Sequence, residues 1–136
     1  MEGTMKKVLI VIGIIVIAAG AFIFLSPKTD DKPDSTPSTR FAAIQKDVKS
    51  GAYLIDVRTP EEYTAGHFVS AINFDSTKVD AGQMPDIAKD AKIYLYCRSG
   101  RRAGEVLTAM KKAGFTEVSS LGGLTEVQSL GGTLVQ

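Results

Sequence analysis

The 136-residue chain contains one cysteine, Cys97, one histidine, His67, and no tryptophan. A single thiol excludes an intramolecular disulfide framework, and one thiol with one imidazole cannot form a cysteine/histidine metal cluster. We therefore expect neither a metal ion nor a cofactor. Neither sign of charge is in excess, because the chain has 16 Lys and Arg residues and 15 Asp and Glu residues. A net charge of +1 provides no whole-chain field for nucleic acid, so we expect no nucleic-acid partner.

An uncharged apolar run, "VLIVIGIIVIAAGAFIFL", covers residues 8–25. As a helix rising about 1.5 Å per residue, it roughly matches the ~30 Å hydrocarbon core of a bilayer. The basic n-region at residues 1–7 favours a cytoplasmic N-terminus. These features predict one transmembrane helix in the plasma membrane, with the remaining chain on the extracytoplasmic, periplasmic side. The alternative is cleavage at Ala19-Gly20-Ala21, which would release a secreted or periplasmic protein.

Residues 26–39, "SPKTDDKPDSTPST", contain three prolines and no large apolar residue. Such a composition buries too little surface to offset the entropy of an ordered chain, so it predicts a flexible linker. The remaining residues, 40–136, are numerous enough for one domain with its own core and too few for two.

The pattern of this domain predicts an α/β fold with a mostly parallel central sheet flanked by helices. Short apolar runs rich in β-formers are typical of buried parallel strands, and these need helical crossovers. One apolar stripe with helical spacing indicates a helix that Gly114 ends. The predicted strands are 53–57, 70–74, 93–97 and 116–121, and the predicted helices are 40–50, 85–91 and 101–113.

The only cysteine lies at the end of a predicted strand, in the stretch "YCRSGRR" (96–102). In open parallel sheets, ligands bind beyond the carboxyl ends of the strands. The turn after Cys97 can direct backbone N–H groups inward, and the following helix adds the positive end of its dipole. Arg98, Arg101 and Arg102 add full charges, so this setting favours a thiolate and attracts an anion. Without these surroundings, Cys97 would be interpreted as a small buried hydrophobic residue.

Two stretches, "LIDVRTPEEYTAGHFVSAINF" and "YLYCRSGRRAGEVLTAMKKAGFTEVSSLGG", resemble the single-domain rhodaneses, which are sulfurtransferases. The motifs match in order and spacing over residues 40–136. The resemblance implies a rhodanese-like fold in which Cys97 carries a sulfane sulfur as a persulfide. Two departures are Ser70, where glycine is usual, and Val127, where many members have tryptophan. We expect both departures to affect packing only.

The resemblance also implies the roles of individual residues. Catalysis would be carried out by Cys97 alone, and the donor would be bound by the loop that follows it: Arg98, Ser99, Gly100, Arg101 and Arg102. The expected reaction moves sulfur from a small anionic donor such as thiosulfate to cyanide or a thiol, in two covalent steps. Structural support would come from an ion-paired brace behind the loop and from a packing histidine: Asp56, Arg58, Glu62 and His67.

Two other functions are compatible with the loop. A phosphatase or arsenate reductase of related fold also binds an anion after a cysteine, but those enzymes close a wider loop with an arginine six positions after the cysteine. Here that position is Ala103. The second alternative is a non-catalytic, membrane-tethered module that carries or binds a persulfide.

Overall fold

The computed structural model describes residues 37–136. Its helices and strands alternate along most of the chain, as expected for an α/β fold. In chain order they are α1 (Pro37–Lys49), β1 (Tyr53–Asp56), α2 (Pro60–Ala65), β2 (His67–Phe68), β3 (Ala71–Asn73), α3 (Ser76–Asp80), β4 (Ile93–Tyr96), α4 (Arg101–Lys112), β5 (Val118–Ser120), α5 (Leu124–Ser129) and β6 (Leu134–Val135).

The central sheet has four strands in the order β3-β1-β4-β5, and every neighbouring pair is parallel. Because successive side chains of a strand point to opposite faces, β4 and the residue after it supply both sides of the sheet. Ile93, Leu95 and Cys97 join one apolar cluster, which includes residues of α4. Tyr96 joins the other cluster, which includes residues of α1. The predicted mostly parallel sheet flanked by helices is confirmed.

Helix α4 forms where its apolar stripe predicts it. The helix begins directly after Gly100, and its inner face buries Ala103, Val106 and Met110. Gly114 follows the C-terminal cap with φ +94°, a left-handed conformation that suits glycine. The predicted end of the helix is therefore correct to within one residue.

The helix predicted at residues 85–91 is wrong. This segment is irregular, with bends and one turn, and Ile87 N–H donates to the Pro85 carbonyl oxygen over 2.9 Å. Ile87 still packs against the core, so its apolar character reflects burial of a connecting loop. A seven-residue pattern is too short to form a helix on its propensity alone.

Several short elements have no counterpart in the sequence prediction. Helix α2 begins with Pro60 after a capping box, in which Thr59 and Glu62 exchange hydrogen bonds between side chain and backbone. Helices α3 and α5 were also missed, as was the small antiparallel pair of β2 and β6. Helices of five or six residues show too little periodicity to be recognised from their apolar spacing.

Helix α1 begins at Pro37, so the last three residues assigned to the 26–39 linker are helical. The apolar segment 8–25, the basic n-region and the rest of the linker lie outside the described residues. Among the helices of residues 37–136, none has both the length and the apolar character needed to cross a membrane.

Candidate active site

Cys97 directly follows β4, and the loop of residues 97–102, here called the active loop, continues into the first turn of α4. The cysteine is completely buried, with 0% of its surface exposed. Gly100 N–H donates a hydrogen bond to Cys97 Sγ over 3.0 Å. Gly100 has φ +90°, so the turn that aims this N–H at the sulfur requires a conformation that glycine adopts easily. Burial alone would suit a core cysteine, but the hydrogen bond gives the sulfur a polar partner.

A second loop, residues 121–124, supports the active loop from one side. Cys97 N–H donates to the Gly122 carbonyl over 3.1 Å, and Leu124 N–H donates to the Arg98 carbonyl over 3.2 Å. Ser99 and Gly123 form an isolated antiparallel bridge. The backbone of the active loop is therefore tied to this supporting loop, which precedes α5.

The three arginines of the active loop have different environments. Arg101 forms an exposed ion pair with Glu105, one turn later on α4. Arg102 is mostly buried and donates two hydrogen bonds, of 2.7 and 3.0 Å, to the Glu62 carboxylate on α2. Arg98 is exposed, and no carboxylate among residues 37–136 forms an ion pair with it. The sequence predicted that all three arginines add full charges to the loop, whereas the structure pairs Arg101 and Arg102 with carboxylates.

Glu62 and Arg102 each favour the charged form of the other. Hydrogen bonds from Arg102 lower the pKa of Glu62 from 4.5 to about 2, so the carboxylate is ionised throughout the neutral range. The Glu62 carboxylate raises the pKa of Arg102, burial opposes this, and Cys97 adds a smaller interaction in the same direction as Glu62. The guanidinium group of Arg102 therefore interacts strongly with the Glu62 carboxylate and more weakly with Cys97.

Asp56 and Arg58 form a buried ion pair at the carboxyl end of β1. Arg58 Nε and Nη2 donate to the Asp56 carboxylate over 2.6–3.0 Å, and Nη2 also donates to the Gly66 carbonyl over 2.6 Å. Burial works against the charge of Arg58, but Asp56 outweighs it, and the pKa of Arg58 rises. The brace that the resemblance implied is thus divided: Glu62 pairs with Arg102 and is not a hydrogen-bond partner of Arg58.

His67 packs against Tyr63. The two rings are stacked with centroids 3.9 Å apart, and His67 Nδ1 lies 3.1 Å from the Tyr63 carbonyl oxygen. The Tyr63 hydroxyl in turn donates to the Ala71 carbonyl over 2.7 Å. These contacts fit a packing and hydrogen-bonding role for the histidine.

The two departures from the family pattern differ in kind. Val127 is fully buried in the cluster that contains Phe68 and Tyr96, so it is a packing position. Ser70 has φ +67° and is the only residue other than glycine with a positive φ in residues 37–136. The glycine usual at this position is therefore explained by backbone conformation, which corrects the expectation that only packing is involved.

Three features of the site were not found from the sequence. They are the pairing of Glu62 with Arg102, the contact between the two loops, and Glu126, whose carboxylate accepts a hydrogen bond from Gly123 N–H over 2.9 Å. A signal for the second loop was present, since Gly122 and Gly123 follow a predicted strand. The partner of Arg102 had no local signal, because Glu62 lies 40 positions earlier in the chain.

Comparison with known proteins agrees with this geometry. The family model of the rhodanese-like domain matches residues 40–130. PspE of Escherichia coli, a thiosulfate sulfurtransferase, is 34% identical over 78 residues, which cover 55% of this chain and 73% of PspE. YqhL of Bacillus subtilis is 36% identical over 70 residues, and the match covers 52% of this chain and only 55% of YqhL.

Solved structures show the same fold. The crystal structure of a rhodanese-like domain from Anabaena superposes with a TM-score of 0.57 at 25% sequence identity, covering 63% of this chain and all of that domain. A human single-domain sulfurtransferase superposes with a TM-score of 0.56 at 21% identity, covering 68% of this chain and 94% of its own. At that identity the second likeness concerns the fold alone.

Proposed function

The chain belongs to the rhodanese-like domain family, and from this premise we propose that it is a sulfurtransferase that works through a persulfide on Cys97. The observation that carries the proposal is the 3.0 Å hydrogen bond from Gly100 N–H to the sulfur of Cys97. This contact places a backbone donor on the reacting atom, in a loop that also presents a helix N-terminus and Arg98, which forms no ion pair within residues 37–136. Such a site stabilises negative charge on sulfur without a metal or a cofactor.

In the first step, the Cys97 thiolate attacks the outer sulfur of thiosulfate. A new sulfur–sulfur bond forms to Cys97, the sulfur–sulfur bond of thiosulfate breaks, and sulfite leaves with the electron pair. In the second step, cyanide or a thiolate attacks the outer sulfur of the persulfide, and the electron pair of the breaking bond returns to Cys97. The product is thiocyanate or a new persulfide, and the thiolate is regenerated.

The five residues after Cys97 have separate proposed roles in donor binding. Gly100 N–H would stabilise charge on the Cys97 sulfur, and the backbone N–H groups of Ser99 and Arg101 would face the anion. Arg98 would attract it, since the charges of Arg101 and Arg102 are partly compensated by Glu105 and Glu62. The buried pair of Asp56 and Arg58 would maintain the carboxyl end of β1, and His67 would maintain the turn before β3.

The test is sulfite release from thiosulfate by the full chain and by Cys97→Ser, with cyanide as acceptor. We expect release from the wild type and none from the serine variant, because a neutral hydroxyl is a far weaker nucleophile toward sulfur. Mass spectrometry after thiosulfate alone should show one added sulfur atom on Cys97. Equal sulfite release by the two proteins would contradict the persulfide mechanism.

The same measurements distinguish the two alternatives. A non-catalytic persulfide-carrying or binding module would show the added sulfur, or partner binding, without repeated turnover when cyanide is present. A phosphatase or arsenate reductase would need a loop-closing arginine at position 103. That position is a fully buried alanine on the inner face of α4, so an arginine there could not be accommodated as the fold stands.

For location, we propose that residues 8–25 anchor the chain in the plasma membrane, with the rhodanese-like domain on the periplasmic side. The support is the length and uncharged character of this run together with the basic n-region before it. The full-length protein should then remain in the membrane fraction at high salt, because hydrophobic attachment is not screened by ions. A soluble product that begins at Phe22 would instead show signal cleavage.

A further inference from the structure

Glu62 is placed where two elements of the site meet. Its carboxylate accepts two hydrogen bonds from Arg102 of the active loop, of 2.7 and 3.0 Å. The same carboxylate accepts a 3.2 Å hydrogen bond from Thr59 N–H, and Glu62 N–H donates to Thr59 Oγ1 over 3.3 Å. Hydrogen bonds at the start of α2 thus fix Glu62, and Glu62 in turn binds Arg102, the last residue of the active loop.

The pair is shielded from water without being fully buried. The side chains of Arg102 and Glu62 are 22% and 28% exposed, whereas those of Arg101 and Glu105 are 72% and 56% exposed. A two-point contact between a guanidinium and a carboxylate fixes the plane and direction of the arginine as well as its position. Arg102 is therefore held in one orientation, and Arg101, in an open pair, is held far less.

We propose that Glu62 is a positioning residue for sulfur transfer, which acts by fixing the guanidinium group of Arg102 at the end of the active loop that begins with Cys97. The proposal rests on the proposed function of Cys97. Arg102 is the second residue of α4 and lies five positions after Cys97 in the chain. Glu62 makes the strongest interaction with its guanidinium group, and Cys97 adds a smaller one. Without Glu62, the long arginine side chain is free to turn toward water, and its field at the sulfur weakens.

A double-mutant cycle tests this coupling. Sulfite release from thiosulfate is measured for the full chain, Glu62→Gln, Arg102→Gln and the double variant. We expect Glu62→Gln to lower kcat/KM by about 10-fold when Arg102 is present. In the Arg102→Gln background the same substitution should lower kcat/KM by less than about 2-fold, because the effects of coupled sites are not additive. Fold losses that multiply in the double variant would overturn the proposal.

Two control variants separate positioning from a purely structural role. Glu61→Gln removes the same charge from the neighbouring exposed position of α2 and should leave kcat/KM unchanged. Thr59→Ala removes the hydroxyl of the capping box but keeps the Glu62 carboxylate. It should lower the thermal midpoint without a loss of kcat/KM comparable with that of Glu62→Gln. Thr59→Ala and Glu62→Gln could instead lower the thermal midpoint equally and kcat/KM equally. In that case Glu62 only stabilises α2, and the proposal fails.

A second readout does not depend on turnover. Iodoacetamide is neutral, so its rate of reaction with Cys97 at pH 7 reports access to the buried sulfur and its thiolate content, without attraction to the arginines. Among the same four proteins, Glu62→Gln should be alkylated more slowly than the wild type. The double variant should be alkylated no more slowly than Arg102→Gln. If the wild type releases no sulfite, the proposed function is wrong. If the wild type and Glu62→Gln are alkylated at the same rate, the positioning role of Glu62 is refuted. Should Glu62→Gln not fold, Glu62→Asp replaces it in both measurements, and the same comparisons apply.

Discussion

Gly123 lies so close to Arg98 that a side chain at this position would collide with the active loop. A Cβ atom built on Gly123 would be 2.6 Å from the Arg98 carbonyl oxygen and 2.9 Å from Ser99 Cα. Both atoms belong to the backbone, which cannot move aside as the end of a flexible side chain can. The requirement for glycine here comes from the contact between two loops, since the φ of Gly123 is −98°.

Gly123→Ala should therefore displace the active loop. We expect a loss of about 1–3 kcal/mol in the free energy of unfolding, typical of an overpacked contact, together with a clear fall in sulfite release. Gly104→Ala is the matched control, because a Cβ at this helical position meets no atom within 4 Å. It should stabilise the protein by roughly 0.5–1 kcal/mol. Urea unfolding of both variants measures the difference, and equal stability of the two would contradict the contact.

The buried ion pair makes a second prediction. Asp56→Asn leaves the guanidinium group of Arg58 without its countercharge, so the free energy of unfolding should fall by about 3–5 kcal/mol. Glu105→Gln breaks the exposed pair with Arg101 and should change stability far less. Chemical denaturation of both variants at neutral pH is the measurement. Similar small losses would show that the buried pair contributes no more than the surface pair.

A third prediction concerns the pH dependence of stability. The pKa of Glu62 is about 2 in the folded protein and 4.5 ordinarily, so the unfolded state binds its proton first as the pH falls. The stabilising contribution of Glu62 is therefore complete above pH 4.5 and is lost between pH 4.5 and 2. The difference in unfolding free energy between wild type and Glu62→Gln should shrink over this window. A difference that stays constant from pH 6 to 2 would contradict the lowered pKa.

The fourth prediction compares two arginines of the active loop. Arg98 is exposed and has no carboxylate partner among residues 37–136, whereas Arg101 is paired with Glu105. Arg98→Gln should lower kcat/KM for thiosulfate by roughly 10-fold, mainly through KM, and added salt should reduce the difference from wild type. Arg101→Gln should have the smaller effect. Equal kcat/KM values for the two variants at low salt would show that pairing does not decide which arginine attracts the donor.

The fifth prediction concerns Ser70, which adopts φ +67° and donates a hydrogen bond to Gln45 Oε1 over 3.2 Å. Ser70→Gly and Ser70→Ala both remove the hydroxyl group, but only glycine relieves the left-handed conformation. The glycine variant should therefore be more stable than the alanine variant by about 1 kcal/mol. Thermal unfolding of the two variants decides this, and a more stable alanine variant would argue against strain at this residue.

The sequence by itself determined the fold class, the strand that leads to Cys97 and the helix that begins at Arg101. These features depend on local patterns: two apolar runs of strand length, a stripe with helical spacing, and glycines at turns. The family resemblance followed from motifs of the same local kind. The short helices were missed, because a helix of one or two turns is held by caps and tertiary packing more than by its own periodicity.

Only the tertiary structure decided how the charges of the site are paired. Arg98, Arg101 and Arg102 look equivalent in the sequence, but Glu62 approaches Arg102 from 40 residues away, and Glu105 lies one helical turn from Arg101. The Gly122–Gly123 loop likewise meets the active loop only because β5 is the neighbour of β4 in the sheet. Electrostatic and steric contacts depend on distances in space, and those distances are set by the order of the strands and the positions of the helices around them.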